Sequence, residues 1–363
     1  MSTIDGAYST SSFGALGTLV ADSAALKRQL DTLNAQAGSG RVADTYAGLG
    51  AGARVSLDLR PAVENVHGWQ ANIDAATLRM DVTRSAMTAI QQVASDLRTQ
   101  LDGLNGLNPE QVDMVAANAR SALVQVGSLL NSQAAGVYVF AGQDTANPPV
   151  PNADTLTSSG FFTQIAAAVG ALSPNGAAAT VASTLAIAQS NVAGTSPFST
   201  YLSQPASNLA TPEAEVGLRR TIGTGMLASA NVAVTSQGGS TTGSYMRDLL
   251  RALATVGSLR STQVDTPGFS DLVQDVRTGV TDAIAAMAGD VGVMGDRQSS
   301  LTDIRSHLDE TEVSLSRQLG SVESVDMAET LSRLSLVQTQ LQASYQLING
   351  VNGLSLIKFL GTA

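Results

Sequence analysis

The 363-residue chain contains no cysteine, which excludes disulfides and thiolate chemistry and removes the usual redox clue to compartment. Charge is scarce: Asp, Glu, Lys and Arg together make up 14% of the residues, against about 25% in an average globular protein. Lysine occurs only as Lys27 and Lys358, and the formal net charge is −10 with no basic run. Nucleic acid and anionic membrane surfaces both require clustered Lys or Arg, so neither is an expected partner. No apolar run reaches 18 residues, so no membrane insertion is expected. The opening MSTIDGAYSTSSFG lacks a basic region followed by an apolar one, so export, if it occurs, is expected without a cleaved signal. A chain so poor in charge and rich in Ala, Ser, Thr, Gly and Leu suits burial against copies or partners.

What is present is heptad periodicity. Leu16, Leu19, Ser23, Leu26, Leu30, Leu33 and Ala37 alternate by three and four, which is the a/d seam of a coiled coil. The seam stops at Gly38-Ser39-Gly40, and glycine-rich sequence follows through Gly52. A longer seam follows Pro61, through Ala62, Val66, Trp69, Ile73, Ala76, Met80, Thr83, Met87, Ile90, Ala94, Leu97, Leu101 and Leu104. A helix of that length, roughly 65 Å at 1.5 Å per residue, exceeds one side of an ordinary domain and predicts packing along other helices. Asn108-Pro109-Glu110-Gln111 reads as the start of the next helix, antiparallel to its predecessor and running to about Ala135.

The texture then changes. No Lys or Arg occurs between Arg120 and Arg219, and seven of the ten prolines lie between Pro148 and Pro212. Gly136–Gly142, GVYVFAG, has the β-branched and aromatic character of a strand. Residues 143–236 read as turns, short Ala-rich helices and candidate strands at Leu218–Ile222 and Ala230–Val234. Helix returns at Ser244. A third seam runs through Val273, Val276, Val280, Ala283, Met287, Met294, Leu301, Ile304, Leu308 and Leu315, interrupted by Asp290, Arg297 and Thr311. A fourth joins Met327, Leu331, Leu334, Gln338, Leu341, Tyr345, Ile348, Asn352, Ser355 and Phe359. Asn349-Gly350 and Asn352-Gly353 fall inside that last helix, and each Gly costs a free helix about 1 kcal/mol, so the arm needs a partner helix.

The sequence carries little that reads as chemistry. GLGAGA at 48–53 matches a nucleotide fingerprint only if forced, since no strand precedes it and no βαβ pattern surrounds it; a loop between helical arms is the better reading. Trp69 lies on an apolar seam, and His307 sits among Asp303, Asp309 and Glu310 in the pattern of a solvated helix face. There is no HExxH, nucleophile elbow or phosphate loop. No catalytic residue, cofactor or metal is expected, and the chain reads as non-enzymatic.

Residues 323–360, ESVDMAETLSRLSLVQTQLQASYQLINGVNGLSLIKFL, resemble the C-terminal signature of the flagellin superfamily, in its hook–filament junction branch. Asp326, Met327, Ala328, Glu329, Ser332, Leu334, Leu341, Ala343, Ser344, Tyr345, Leu354, Ser355, Leu356, Phe359 and Leu360 carry the match. GVYVFAGQDTANPPV at 136–150 is similar to a second motif of that branch. The family's polar S-G-x-R-I … D-D-P-A-G segment is here GSGRVADTYAGLGAGARV (38–55), which keeps Gly40, Arg41, Val42 and Asp44 but has no D-D-P.

The resemblance implies a mainly α fold: long antiparallel coiled-coil helices from both termini, with a variable α/β or β-containing middle domain. The expected division is an N-terminal arm and loop (1–52), a long helical hairpin (53–142), a variable outer domain (143–243), returning helices (244–320) and a C-terminal arm (321–363). It implies a structural subunit of the bacterial flagellum joining hook to filament, extracellular and self-assembling. A true flagellin forming the filament is the alternative, and a helical adaptor or an enzyme on such a frame is the less favoured one. The implied partners are copies of itself in a ring or helical assembly, a hook-side junction protein, flagellin, the flagellar export apparatus and an export chaperone. The expected assembly interface pairs the seam of Leu19, Leu26, Leu30 and Leu33 with Leu331, Leu334, Leu341, Tyr345 and Ile348.

Overall fold

The computed structural model describes residues 7–104 and 109–360, with side chains described from Gly17 to Gly350. The expected N-cap at Asn108 and the seam side chains of Leu16, Asn352, Ser355 and Phe359 lie outside the described residues. Among the described residues eight α-helices run in the order α1 (Ala7–Ser39), α2 (Gly52–Asp102), α3 (Pro109–Leu130), α4 (Gly160–Gly170), α5 (Leu172–Gln189), α6 (Tyr245–Gly257), α7 (Phe269–Glu323) and α8 (Met327–Leu360). Two short antiparallel hairpins are added, β1 (Gln133–Ala134) with β2 (Val137–Tyr138) and β3 (Glu213–Gly217) with β4 (Arg220–Gly223). The expected mainly helical architecture with long terminal helices and a small β component is what the chain adopts. It divides into two compact units, one from the chain up to Val66 together with Asp309 onward, the other His67–Leu308.

In the His67–Leu308 unit, α2 and α7 run antiparallel in heptad register. Asp74 pairs with Arg305 at 3.2 Å, and one heptad further along α2, Asp81 accepts from Gln298 at 2.9 Å. Three heptads beyond, Asp102 pairs with Arg277 at 3.2 Å. The expected seam is buried in α2 at Ile73, Ala76, Met80, Thr83, Met87, Ile90, Ala94, Leu97 and Leu101, and just past its end at Leu104. Thr83, the polar member, returns its hydroxyl to the Arg79 carbonyl at 2.8 Å, so it enters the core without an orphaned donor. The helix starts earlier than expected, at Gly52, and Pro61 lies inside it on an exposed position. An exposed proline removes one backbone hydrogen bond, yet its ring meets solvent rather than packed side chains.

The centre of this unit is α6, all thirteen residues of which are buried. Ser244 caps it, its hydroxyl accepting from the Arg247 amide. Helices α3, α4 and α5 pack around it. The close approach of α3 to the 3₁₀ turn at Ala153–Ser158 requires glycine: a Cβ on Gly127 would stand 2.6 Å from Leu156 Cδ1.

Five local expectations are corrected. Helix α3 ends at Leu130, and the strand expected across GVYVFAG shrinks to Val137–Tyr138, because Ala135 (φ 49°) and Gly136 (φ 81°) turn the chain into a two-residue hairpin. Leu218–Ile222 contains a hairpin tip, with Arg219 at φ 57°, rather than one continuous strand. Ala230–Val234 forms no strand; its amides are bound by a carboxylate. That carboxylate is Asp290, which does not interrupt the α7 seam but is buried on it at 2% exposure. It accepts from the amides of Val232 (3.2 Å), Ala233 (3.0 Å) and Val234 (3.0 Å) and from the Tyr245 hydroxyl (2.8 Å).

Candidate functional site: the paired terminal helices

The unit that contains both terminal helices is built on an antiparallel pair, α1 against α8. Helix α1 stops because Gly40 takes a left-handed conformation (φ 69°) and returns its amide to the Gln36 carbonyl at 2.8 Å. Helix α8 starts at an Asp cap: Asp326 Oδ1 accepts from the amides of Ala328 (2.8 Å) and Glu329 (3.1 Å). Between these ends a short antiparallel ladder joins the two chain segments. Val42 donates to the Glu323 carbonyl at 2.7 Å, and Val325 donates to the Gly40 carbonyl at 3.1 Å.

A side-chain lock sits beside that ladder. Glu323 accepts from Arg60 Nε (2.7 Å) and Nη2 (2.8 Å), a bidentate pair, and also from the Ser56 hydroxyl. These bonds hold the Glu323 carboxyl below its ordinary pKa, the Arg60 bond contributing most, then Ser56. The backbone must come close here, and it does so at Gly52, where a Cβ would clash with Val322 Cγ1. The GLGAGA stretch therefore forms the turn that delivers α2 to this lock: a 3₁₀ turn at Tyr46–Leu49, then Gly50 at φ 55°.

Along α1 the buried face is the expected one. Ser23 and Leu33 are buried, and Leu19, Leu26, Leu30 and Ala37 are half-buried. Along α8 the phase differs. The enclosed residues are Thr330, Leu334, Val337, Leu341, Ser344 and Ile348, a strict a/d series. Leu334, Leu341 and Ile348 are shared with the expected seam, whereas Leu331 (51% exposed) and Tyr345 (48%) face outward. The structure thus brings Leu19, Leu26, Leu30 and Leu33 onto one face and Leu334, Leu341 and Ile348 onto the facing one, and leaves Leu331 and Tyr345 off both.

The reason for the phase difference lies in two small polar residues. Counting apolar side chains favours the Met327–Leu331–Tyr345 series, yet Thr330 and Ser344 satisfy themselves inside the contact. Thr330 Oγ1 donates to the Asp326 carbonyl at 2.7 Å, and Ser344 meets Ser23 across the seam at 2.6 Å. Ser23, the polar residue in the α1 series, was the available signal that a small polar partner belonged opposite it. Ser56, Arg60 and Glu323 were not singled out in the sequence, and nothing in their local pattern joins residue 60 to residue 323.

The α8 surface away from α1 keeps two apolar strips in the open. Met327, Leu331 and Tyr345 form one, while Leu336 and Leu347 (57% and 59% exposed) form the other. Exposed apolar side chains repeated along one helix mark a contact surface more than scattered single residues do. Among the described residues no group of three His, Asp or Glu side chains could hold a metal ion, and no helix is long and apolar enough to cross a membrane.

Comparison with known proteins agrees with this geometry. Residues 278–360 match the family model of the bacterial flagellin C-terminal helical region. No curated protein matches the chain. Its fold is similar to that of a protein from Vibrio parahaemolyticus described provisionally as a flagellar hook-associated protein. That similarity has a TM-score of 0.52 and 13% identity, and covers 77% of this chain and 99% of the other. The matched segment contains all of α8 and most of α7, and therefore one whole side of the terminal pair: residues 278–360 are similar to the flagellin C-terminal helical region.

Proposed function

We propose that the chain is a structural, non-enzymatic subunit of the bacterial flagellum that joins hook to filament and assembles through its terminal helices. The observation that carries this reading is the pair of apolar strips on α8 that its own α1 does not cover, at Met327, Leu331 and Tyr345 and at Leu336 and Leu347. Such strips suit neighbouring subunits in a ring or a helical array. The partners follow from that role: further copies, a hook-side junction protein on one face, flagellin on the other, and the export apparatus with its chaperone before assembly. The location is extracellular.

The LSLIKFL ending and the VYVFAG motif favour the junction over the filament itself, since they resemble the junction branch. Polymerisation of the purified protein tests the choice. A junction subunit stays short or unpolymerised when seeded on hooks, and a filament flagellin extends into long fibres. Long fibres from this protein alone would overturn the junction role and leave the filament reading in its place.

A further inference from the structure

A cavity of about 310 Å³ opens in the His67–Leu308 unit between the end of α5, the turn at 204–209, residues 229–230 and the start of α6. That volume is at the lower end of the range that holds small ligands, roughly 300 Å³ upward. Its wall includes Gln189, Asn191, Gln204, Ser229 and Arg247, and contains no acidic side chain.

Arg247 is 8% exposed. Its Nε donates to the Ser229 carbonyl (2.9 Å), Nη1 to the carbonyls of Ala188 (2.9 Å) and Ser190 (3.4 Å), and Nη2 to Asn191 Oδ1 (2.7 Å). A guanidinium has five N–H groups, so one on Nη2 remains. The Phe198 ring lies 5.1 Å from the guanidinium carbon and fixes its plane. Among the described residues no carboxylate forms an ion pair with Arg247. Asp248, the neighbouring acid, directs its oxygens to Thr241 Oγ1 and the Thr242 amide. The carbonyl end of α5 offsets about half a charge, and Asp248 favours the cation through space without bonding to it.

Ser229 lines the same cavity at 4% exposure, and among the described residues its hydroxyl has no hydrogen-bond partner. Native structures seldom leave such a group unmet. Because Asn191 gives its oxygen to Arg247, its amide nitrogen is left as a donor, and Gln189 and Gln204 add two more amides at the rim. The wall is therefore rich in donors and bears one positive charge. Two spare donors on residues of one wall and a single cation match the two oxygens of a monoanion, whereas a phosphate dianion calls for more positive charge.

We propose that this cavity binds a small organic carboxylate, whose oxygens accept from Arg247 and the Ser229 hydroxyl while the Gln189, Asn191 and Gln204 amides hold its polar body. The test titrates isotopically labelled full-length protein with glucuronate, following the side-chain amide resonances of those three residues. Glucose, of similar size and no charge, and inorganic phosphate serve as comparison ligands. Glucuronate is expected to give saturable shifts that glucose does not, and Ser229→Ala is expected to weaken its binding about tenfold, the effect of one lost charge-assisted hydrogen bond. No saturable shift, an equal response to glucose, tighter binding of phosphate, or an unchanged affinity in Ser229→Ala would each overturn the assignment.

Discussion

Ser344 donates a hydrogen bond to Ser23 across the buried seam between α8 and α1, at 2.6 Å. The direction follows from proton count: a serine hydroxyl has one proton, and that of Ser23 already goes to the Leu19 carbonyl at 2.7 Å. A lone polar pair at facing a/d positions fixes register, because sliding the helices by a heptad would place each hydroxyl against an apolar partner.

Replacing either serine with alanine should lower the stability of the terminal pair by about 1 kcal/mol. The double variant should cost less than the sum of the two single ones, with a coupling of about 0.5–1 kcal/mol in a double-mutant cycle. Thermal unfolding followed by helical circular dichroism measures all three. Strictly additive effects would show that the bond contributes nothing to the pairing.

The Glu323 lock makes the same unit sensitive to acid. Hydrogen bonds from Arg60 and then Ser56 depress the folded-state pKa of Glu323. A depressed carboxyl contributes stability that is present above its unfolded value, about 4.3, and is lost as pH falls through the folded value. Protease protection of residues 17–66 should therefore be full at pH 7 and decline below about pH 4.3. Glu323→Gln should be weaker at neutral pH and flatter across that window. An unchanged acid profile in Glu323→Gln would remove this contact from the account.

Asp290 connects α7 to the segment that follows β4. Burial, and then the adjacent Asp290, push the Tyr245 hydroxyl well above its ordinary pKa, so it serves as a donor at any physiological pH. Asp290→Ala orphans three backbone amides and that hydroxyl, and should cost at least about 3 kcal/mol. Tyr245→Phe removes one bond of the four and should cost about 1 kcal/mol. Urea unfolding reports both, and cleavage between residues 230 and 236 should appear in Asp290→Ala first.

The long helices were legible in the sequence because their seams are deep and nearly all apolar; from Ile73 to Leu104 every expected seam position is buried. What escaped was decided by partners distant in the chain. Asp290 looks like a break in a heptad until the amides of Val232–Val234 are beside it. Thr330 and Ser344 look like surface positions until Ser23 stands opposite one of them. The hairpin at Gln133–Tyr138 depends on two consecutive left-handed residues, one of them an alanine, which no propensity favours. Half of the terminal seam was thus readable from hydrophobicity, and the other half required knowing which helix it faced.

The α8 phase separates two roles that the sequence merges. Leu341, 9% exposed, belongs to the contact with α1, whereas Leu331, 51% exposed, belongs to the open strip. Leu341→Asp puts a carboxylate into the seam at a cost of several kcal/mol, so the purified monomer should lose helical signal and protection in its terminal arms. Leu331→Asp places the same charge in solvent, and the monomer should keep its melting curve and protease pattern. If the strip is the intersubunit surface, Leu331→Asp should still be exported yet fail to join hooks, leaving cells that shed flagellin and swim poorly. Gln342→Asp, at an exposed position outside both faces, is the control and should change neither property. Normal motility with Leu331→Asp alongside failure of Leu341→Asp would move the assembly surface from the open strip to the α1–α8 seam, and would require the seam to open and re-pair between subunits.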